Sequence, residues 1–256
     1  MADTETGAAP LLLIHGAWQG AWVWDGFRAA LARRGDQRPA IAVDLPGNGA
    51  DGAPPATASL PAYLDHLDRI VADIGRPFSI VAHSGGGVVA SALAERHPGL
   101  TRRLVYIAGM MLPSETGFAD MVNHLLPTDP TASGVTPWLD WPIPGEISVV
   151  PPEAAIAFFL QDYPPALAVA ASRRLTPQGE RGRALTAHLT PERFGTIPRL
   201  YVQALRDRSV TLPLQRLMCD RLPGATIRTI DTGHAPHVVA PDALLDILLP
   251  FLDSPG

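Results

Sequence analysis

Short apolar runs recur along the chain, at 11–14, 40–45, 78–82, 103–108, 199–204 and 226–230. The first, Leu11-Leu12-Leu13-Ile14, has no polar alternation, as expected of a parallel strand covered on both faces. Between the runs the apolar period changes from strand-like to helical. Leu60, Leu64, Leu67, Val71 and Ile74 share one helical face, Ser59 is placed to cap that helix and Gly75 to stop it. Helices are predicted through Arg34, from Val88 to Glu95, over about 212–222 and from Asp242 onward. Strands alternating with helices predict an α/β fold with a doubly wound, mostly parallel six-stranded sheet.

The alternation breaks between Met111 and about Thr190, where prolines crowd the sequence and no sheet strand is expected. Two short helical patterns survive there, Glu153 to Asp162 and Pro165 to Leu175, with an irregular arm over 127–152. This segment reads as an inserted, mostly helical cap. The predicted organisation is a flexible N-terminus (1–9), a core built from 10–111 and 191–256, and a cap over 112–190.

Ligands of a doubly wound sheet bind beyond the carboxyl ends of its strands. Candidate chemical groups fall at those ends. The third run leads into Ala82-His83-Ser84-Gly85-Gly86, a G-x-S-x-G pattern with alanine at its first position, where a sharp strand-to-helix turn would expose the Ser84 hydroxyl. No G-x-G-x-x-G fingerprint and no G-K-[ST] occurs there, which counts against a phosphate-binding turn. After the sixth run comes Asp231-Thr232-Gly233-His234, making His234 the candidate base, with His237 as its rival. Asp207 follows the fifth run and is the candidate acid, although Arg206 and Arg208 beside it also suit a surface ion pair. His15 is more readily a structural hydrogen-bond partner than a base, and Asp44 an organiser of its own Pro-Gly turn. The backbone amides of Ala17 and Gly85 are candidate oxyanion donors, since the loops bearing them would converge from adjacent strands.

Composition narrows the partners. Of 256 residues 46% are hydrophobic, enough for one large core, and the net charge of -5 offers no basic stripe for nucleic acid and no polybasic membrane patch. All 20 Lys-plus-Arg positions are arginine, which removes Schiff-base chemistry and lysine bases. The lone Cys219, among apolar neighbours, reads as a buried structural thiol. No signal-peptide pattern or membrane-length apolar run is evident, so a soluble, cytoplasmic protein is expected.

With H-G-A-W-x-G-A-W at 15–22, D-L-P-G-x-G at 44–49, the elbow at 82–86, Asp207 and Gly233-His234, the chain resembles the α/β-hydrolase superfamily. It is most similar to small esterases related to the plant methyl-salicylate and methyl-jasmonate esterases and their bacterial relatives. The resemblance implies Ser84 as nucleophile, Asp207 as acid, His234 as base and Ala17 and Gly85 as oxyanion donors, with no cofactor and no metal. Hydroxynitrile lyases of the same group carry threonine at the position of Gly16 and lysine at that of Ala235, so lyase chemistry is disfavoured. The expected activity is hydrolysis of a small-molecule carboxylic ester through an acyl-enzyme. A lactone, thioester or polyketide intermediate, a cofactor-free oxygenase reaction and a non-catalytic ligand-binding role stay open, as does a homodimer. Trp18, Met110, Trp138 and Phe159 are expected to line the substrate pocket.

Overall fold

The computed structural model describes residues 8–254; the flexible N-terminus expected over 1–9 lies, apart from residues 8 and 9, outside the described residues. In chain order the elements are β1 (Leu11–Ile14), α1 (Asp25–Arg33), β2 (Ala40–Ala42), α2 (Leu60–Ile74), β3 (Phe78–His83), α3 (Gly86–Arg96), β4 (Thr101–Ile107) and α4 (Phe118–Leu125). They continue with β5 (Asp140–Ile143), β6 (Ile147–Val149), α5 (Pro152–Phe158), α6 (Pro165–Ser172), β7 (Gln178–Gly179), β8 (Arg199–Ala204), α7 (Leu212–Arg221), β9 (Ala225–Ile230), α8 (Pro236–Val239) and α9 (Pro241–Leu252).

One sheet runs β2-β1-β3-β4-β8-β9 with every neighbouring pair parallel. The chain leaves β1 outward to β2 and then crosses back to β3 on the other side of β1. The connections after β1 and β3 therefore diverge, opening a crevice at the carboxyl ends of these two strands. Strand periodicity sorts the core onto two faces. Leu11, Leu13, Val81, Val105 and Val202 meet Phe27 of α1 and Leu244, Leu245 and Leu248 of α9. Leu12, Ile80, Leu104 and Tyr201 meet Leu64 and Leu67 of α2, Leu93 of α3 and Leu214 of α7 on the opposite face. α2 has the predicted ends: the Ser59 hydroxyl accepts from the Ala62 amide at 3.4 Å, and Gly75 stops the helix at φ 62°.

Between β4 and β8 the expectation that no strand occurs is corrected. β5, β6 and β7 form a separate three-stranded antiparallel sheet, and the arm over 127–152 contains the β5–β6 hairpin together with 3-10 turns at Pro130–Ser133 and Thr136–Trp138. Pro142 is compatible with it because β5 is an edge strand, where a missing N–H leaves no partner unsatisfied. Gly145 turns the hairpin at φ 72°. A third apolar cluster joins Leu139, Val150, Ala155, Phe159 and Tyr163 of this segment to Trp18 and Ala235 of the core, so the insertion is seated over the crevice. Among the described residues no helix is long and apolar enough to cross a membrane.

Replacing the α2 cap with alanine (Ser59→Ala) should cost about 1 kcal/mol, seen as a melting temperature lowered by about 2–4 °C. An unchanged melting temperature would show that the hydroxyl does not cap the helix.

Candidate active site

Ser84 lies between β3 and α3 with φ 52°, in the left-handed region that a non-glycine residue enters at a cost of order 1 kcal/mol or more. The turn is held from several sides. The Ser84 amide donates to Ile107, and its carbonyl accepts from Gly87 at 3.0 Å and Met110 at 2.8 Å. Glycine is required around it for space. A Cβ on Gly16 would stand 2.7 Å from the Ser84 Cβ, one on Gly86 only 2.4 Å from the His15 carbonyl oxygen, and one on Gly87 2.8 Å from Met110 backbone.

The carboxylate and imidazole meet as the strand ends suggest. His234 donates from Nδ1 to Asp207 Oδ2 at 2.7 Å, and both side chains are buried. Asp207 Oδ1 accepts from the Ser209 and Val210 amides at 2.7 and 3.0 Å, so the carboxylate is held by backbone as well as by the imidazole. A proton at Nδ1 leaves the His234 Nε2 lone pair available as a base. Arg206 pairs instead with Asp162 and Asp231, and Arg208 reaches the Ala157 carbonyl, so neither arginine takes Asp207 into a surface ion pair. Ser84 and His234 line one small cavity together with Ala17, Trp18, Phe159 and Ser209. The Ser84 hydroxyl has no hydrogen-bond partner among the described residues.

Two backbone donors stand beside Ser84, Ala17 lining that cavity and Gly85 the larger one that also meets Ser84. A Cβ on Gly85 would lie 3.7 Å from the Ala17 amide nitrogen, and neither the Ala17 nor the Gly85 amide donates a hydrogen bond among the described residues. The loop carrying Ala17 is pinned on both sides: the Gly16 amide donates to Gln19 Oε1 and the Trp18 amide to Gln178 Oε1, each at 3.2 Å. Gln178 belongs to a buried polar ring in which Tyr63 donates to Asn48 Oδ1, the Asn48 amide donates to Gln178 Oε1, and Gln178 Nε2 donates to the Tyr63 hydroxyl. Trp18 itself sits at φ 61° and donates from its indole to Ser148 Oγ.

The remaining candidates separate. His15 donates from Nδ1 to the Gly16 carbonyl and accepts from the Leu45 amide at Nε2, which leaves it no free nitrogen for base chemistry. Asp44 does not organise the Pro-Gly turn; its Oδ1 accepts from the Ala21 amide, while Asp51 accepts from Gly47. His237 is fully buried against Trp24 and His83, and neither ring nitrogen has a partner. Burial first, and the His234 imidazole second, push its pKa down to about 3. Trp18 and Met110 line a larger cavity over Ser84, and Phe159 stacks on Trp18 with ring centroids 6.0 Å apart. Trp138, expected in that pocket, is instead 61% exposed and lines a separate surface groove with Phe158 and Leu205.

Sequence reasoning assigned no role to His83, Gln19, Gln178 or Arg183. His83 donates from Nε2 to the His234 carbonyl at 2.8 Å, and its Nδ1 lies 3.0 Å from the Gln19 side-chain amide, so the residue before the serine sits between the His234 loop and the Ala17 loop. Burial, with the His237 and His234 imidazoles, holds its pKa well below the ordinary histidine value. The available signal was the polar residue inside an otherwise apolar strand end, which has to be satisfied when buried.

A model of the alpha/beta hydrolase family matches residues 11–247 of this chain. The chain is 28% identical to methylesterase 7 of Arabidopsis thaliana over 258 residues, covering 95% of this chain and 96% of that protein. It is 26% identical to the pyrethroid hydrolase of Sphingobium wenxiniae, over 96% of this chain and 88% of the relative. Among solved structures, polyneuridine aldehyde esterase superposes with a TM-score of 0.82 at 20% identity, over 96% of this chain and 100% of that one, which is a likeness of fold.

Folded His237 stays neutral down to about pH 3, whereas in the unfolded chain it takes up a proton near the ordinary histidine value of about 6.5. The unfolded state therefore binds more protons across that window, and stability is lost as the pH falls from about 6.5 toward 3. His237→Phe should reduce the acid-side slope by up to about 1.4 kcal/mol per pH unit, read from urea midpoints at pH 7.5 and 5. Equal losses in both proteins would contradict a buried neutral imidazole.

Proposed function

The chain belongs to the alpha/beta hydrolase family, and from that membership together with the site geometry we propose that it is a serine esterase acting on a small carboxylic ester through an acyl-enzyme. Ser84 attacks the ester carbonyl while His234 Nε2 takes the hydroxyl proton. Asp207 holds the imidazole in the tautomer that can accept it and stabilises the imidazolium that forms. The Ala17 and Gly85 amides receive the negative charge that develops on the carbonyl oxygen, each such donor being worth about 3 kcal/mol of transition-state stabilisation. His234 then returns the proton to the leaving alcohol. A water molecule, deprotonated by the same imidazole, cleaves the acyl-enzyme and restores the Ser84 hydroxyl.

One observation carries this reading. A buried Asp207–His234 pair and two unpartnered amides gather around a serine at positive φ, in two cavities that share Ser84 and Ala17, although the residues are distant in the chain. Structural packing alone gives no reason for a strained serine to sit beside orphan donors. Trp18, Met110, Val89 and Val135 give the cavity over Ser84 an apolar wall, suited to a short acyl or aryl group. The names of the methylesterase and pyrethroid hydrolase relatives favour an ester over a lactone or thioester.

Ser84→Ala should abolish p-nitrophenyl acetate turnover, and Asp207→Asn should lower kcat by about 10⁴-fold through the wrong imidazole tautomer. Turnover retained in Ser84→Ala would remove the serine mechanism.

A further inference from the structure

The cavity over Ser84 is uneven in its hydrogen-bonding character, and the imbalance bears on what it holds. Its amide and imidazole acceptors are already used. The Asn48 and Gln178 side-chain oxygens and the Tyr63 hydroxyl serve the buried ring, and His15 Nε2 serves the Leu45 amide. Groups that can only donate are left over: the Ala17 and Gly85 amides and one nitrogen of Arg183 have no partner among the described residues, beside the Ser84, Thr136 and Ser209 hydroxyls, which can donate or accept. No Asp or Glu lines this space.

Arg183 is the charged member of the lining, and it is held before any ligand arrives. Its Nε donates to both Glu180 oxygens at 2.8 Å, and Nη2 stands 2.7 Å from Oε2. Glu180 is fixed in turn by the Ser148 hydroxyl at 2.7 Å, the same hydroxyl that receives the Trp18 indole. The guanidinium lies over the Trp18 ring at 5.6 Å to its centroid. One edge of the planar group is thus committed to Glu180, and Nη1 is left for a further acceptor. A guanidinium already ordered by protein contacts loses little entropy when it binds one more oxygen.

We infer that Arg183 Nη1 is a substrate anchor, and that the esters this site takes carry a second, anionic oxygen group: monoesters of short dicarboxylic acids, with the free carboxylate at Arg183 and the ester carbonyl at Ser84. The inference rests on the esterase reading of the same site and adds the substrate class. Hydrolysis consumes one water and releases the alcohol and the dicarboxylate.

Monomethyl glutarate and methyl pentanoate have the same acyl length and differ by a carboxylate in place of a terminal methyl, so methanol release from the pair isolates the anion. The wild type should favour monomethyl glutarate at least tenfold in kcat/KM. Arg183→Met should lower that ratio at least tenfold, chiefly through KM for the hemiester. Arg183→Lys keeps a counter-charge for Glu180 and should lower it less, which covers the case in which the methionine variant does not fold. A binding arm uses Ser84→Ala: glutarate should raise its melting temperature and pentanoate should not, and adding Arg183→Met should remove the shift. Equal turnover of both esters with a ratio insensitive to Arg183 overturns the anchor and leaves the esterase reading standing. No turnover of either ester or of p-nitrophenyl acetate, combined with an Arg183-dependent glutarate shift, overturns the esterase reading and leaves the anion site. Absence of both turnover and shift overturns both.

Discussion

Two backbones pass so closely at the end of β1 and β3 that no side chain fits between them, and the rest of the site depends on that contact. Gly16 on one loop and Gly86 on the other lie where a methyl group would strike the Ser84 side chain or the His15 carbonyl. The approach holds Ser84 at positive φ and brings the Ala17 and Gly85 amides to one place. Strain in the turn is offset by the elements that overdetermine it: β3 paired on both sides, α3 packed on the sheet, and the Met110 amide bonded to the serine carbonyl. Ala82, in place of the usual glycine, puts its methyl into the apolar cluster that holds Ile14 and Val88.

Beside that contact lies a buried polar network that is paired within itself. The Asn48–Tyr63–Gln178 ring joins the loop after β2, helix α2 and strand β7, and its acceptor on Gln178 also holds the Trp18 amide. A buried ring of this kind rigidifies when every member is satisfied. The same contacts tie strand β7 to the loop carrying Ala17 and Trp18. Burial keeps His83 and His237 neutral beside His234.

Local signals were readable where they were strong. α2 begins and ends at the residues its serine cap and glycine stop indicate, and β8 spans the predicted Arg199–Ala204. β2 is shorter than its apolar run, because as an edge strand it has only β1 to pair with, and that pairing ends at Ala42. The β5–β6 hairpin was hidden by its proline and by an exposed face without clear alternation. Ser84, Asp207 and His234 could be singled out as candidates because each follows a strand whose position the pattern reveals. Gln19, His83 and Gln178 could not, since their partners lie 64, 151 and 160 positions away and only the closed fold brings them together. Trp138 illustrates the limit of composition: an aromatic near a site in sequence carries no information about which side of its segment faces inward.

The most direct test of the account is a crystal structure of the protein after reaction with a fluorophosphonate, a mimic of the tetrahedral intermediate. Phosphorus should be bonded to Ser84 Oγ, with its phosphoryl oxygen about 2.7–3.1 Å from both the Ala17 and Gly85 amide nitrogens and His234 still hydrogen-bonded to Asp207. Phosphorus on another residue, or a phosphoryl oxygen turned away from those two amides, would contradict it.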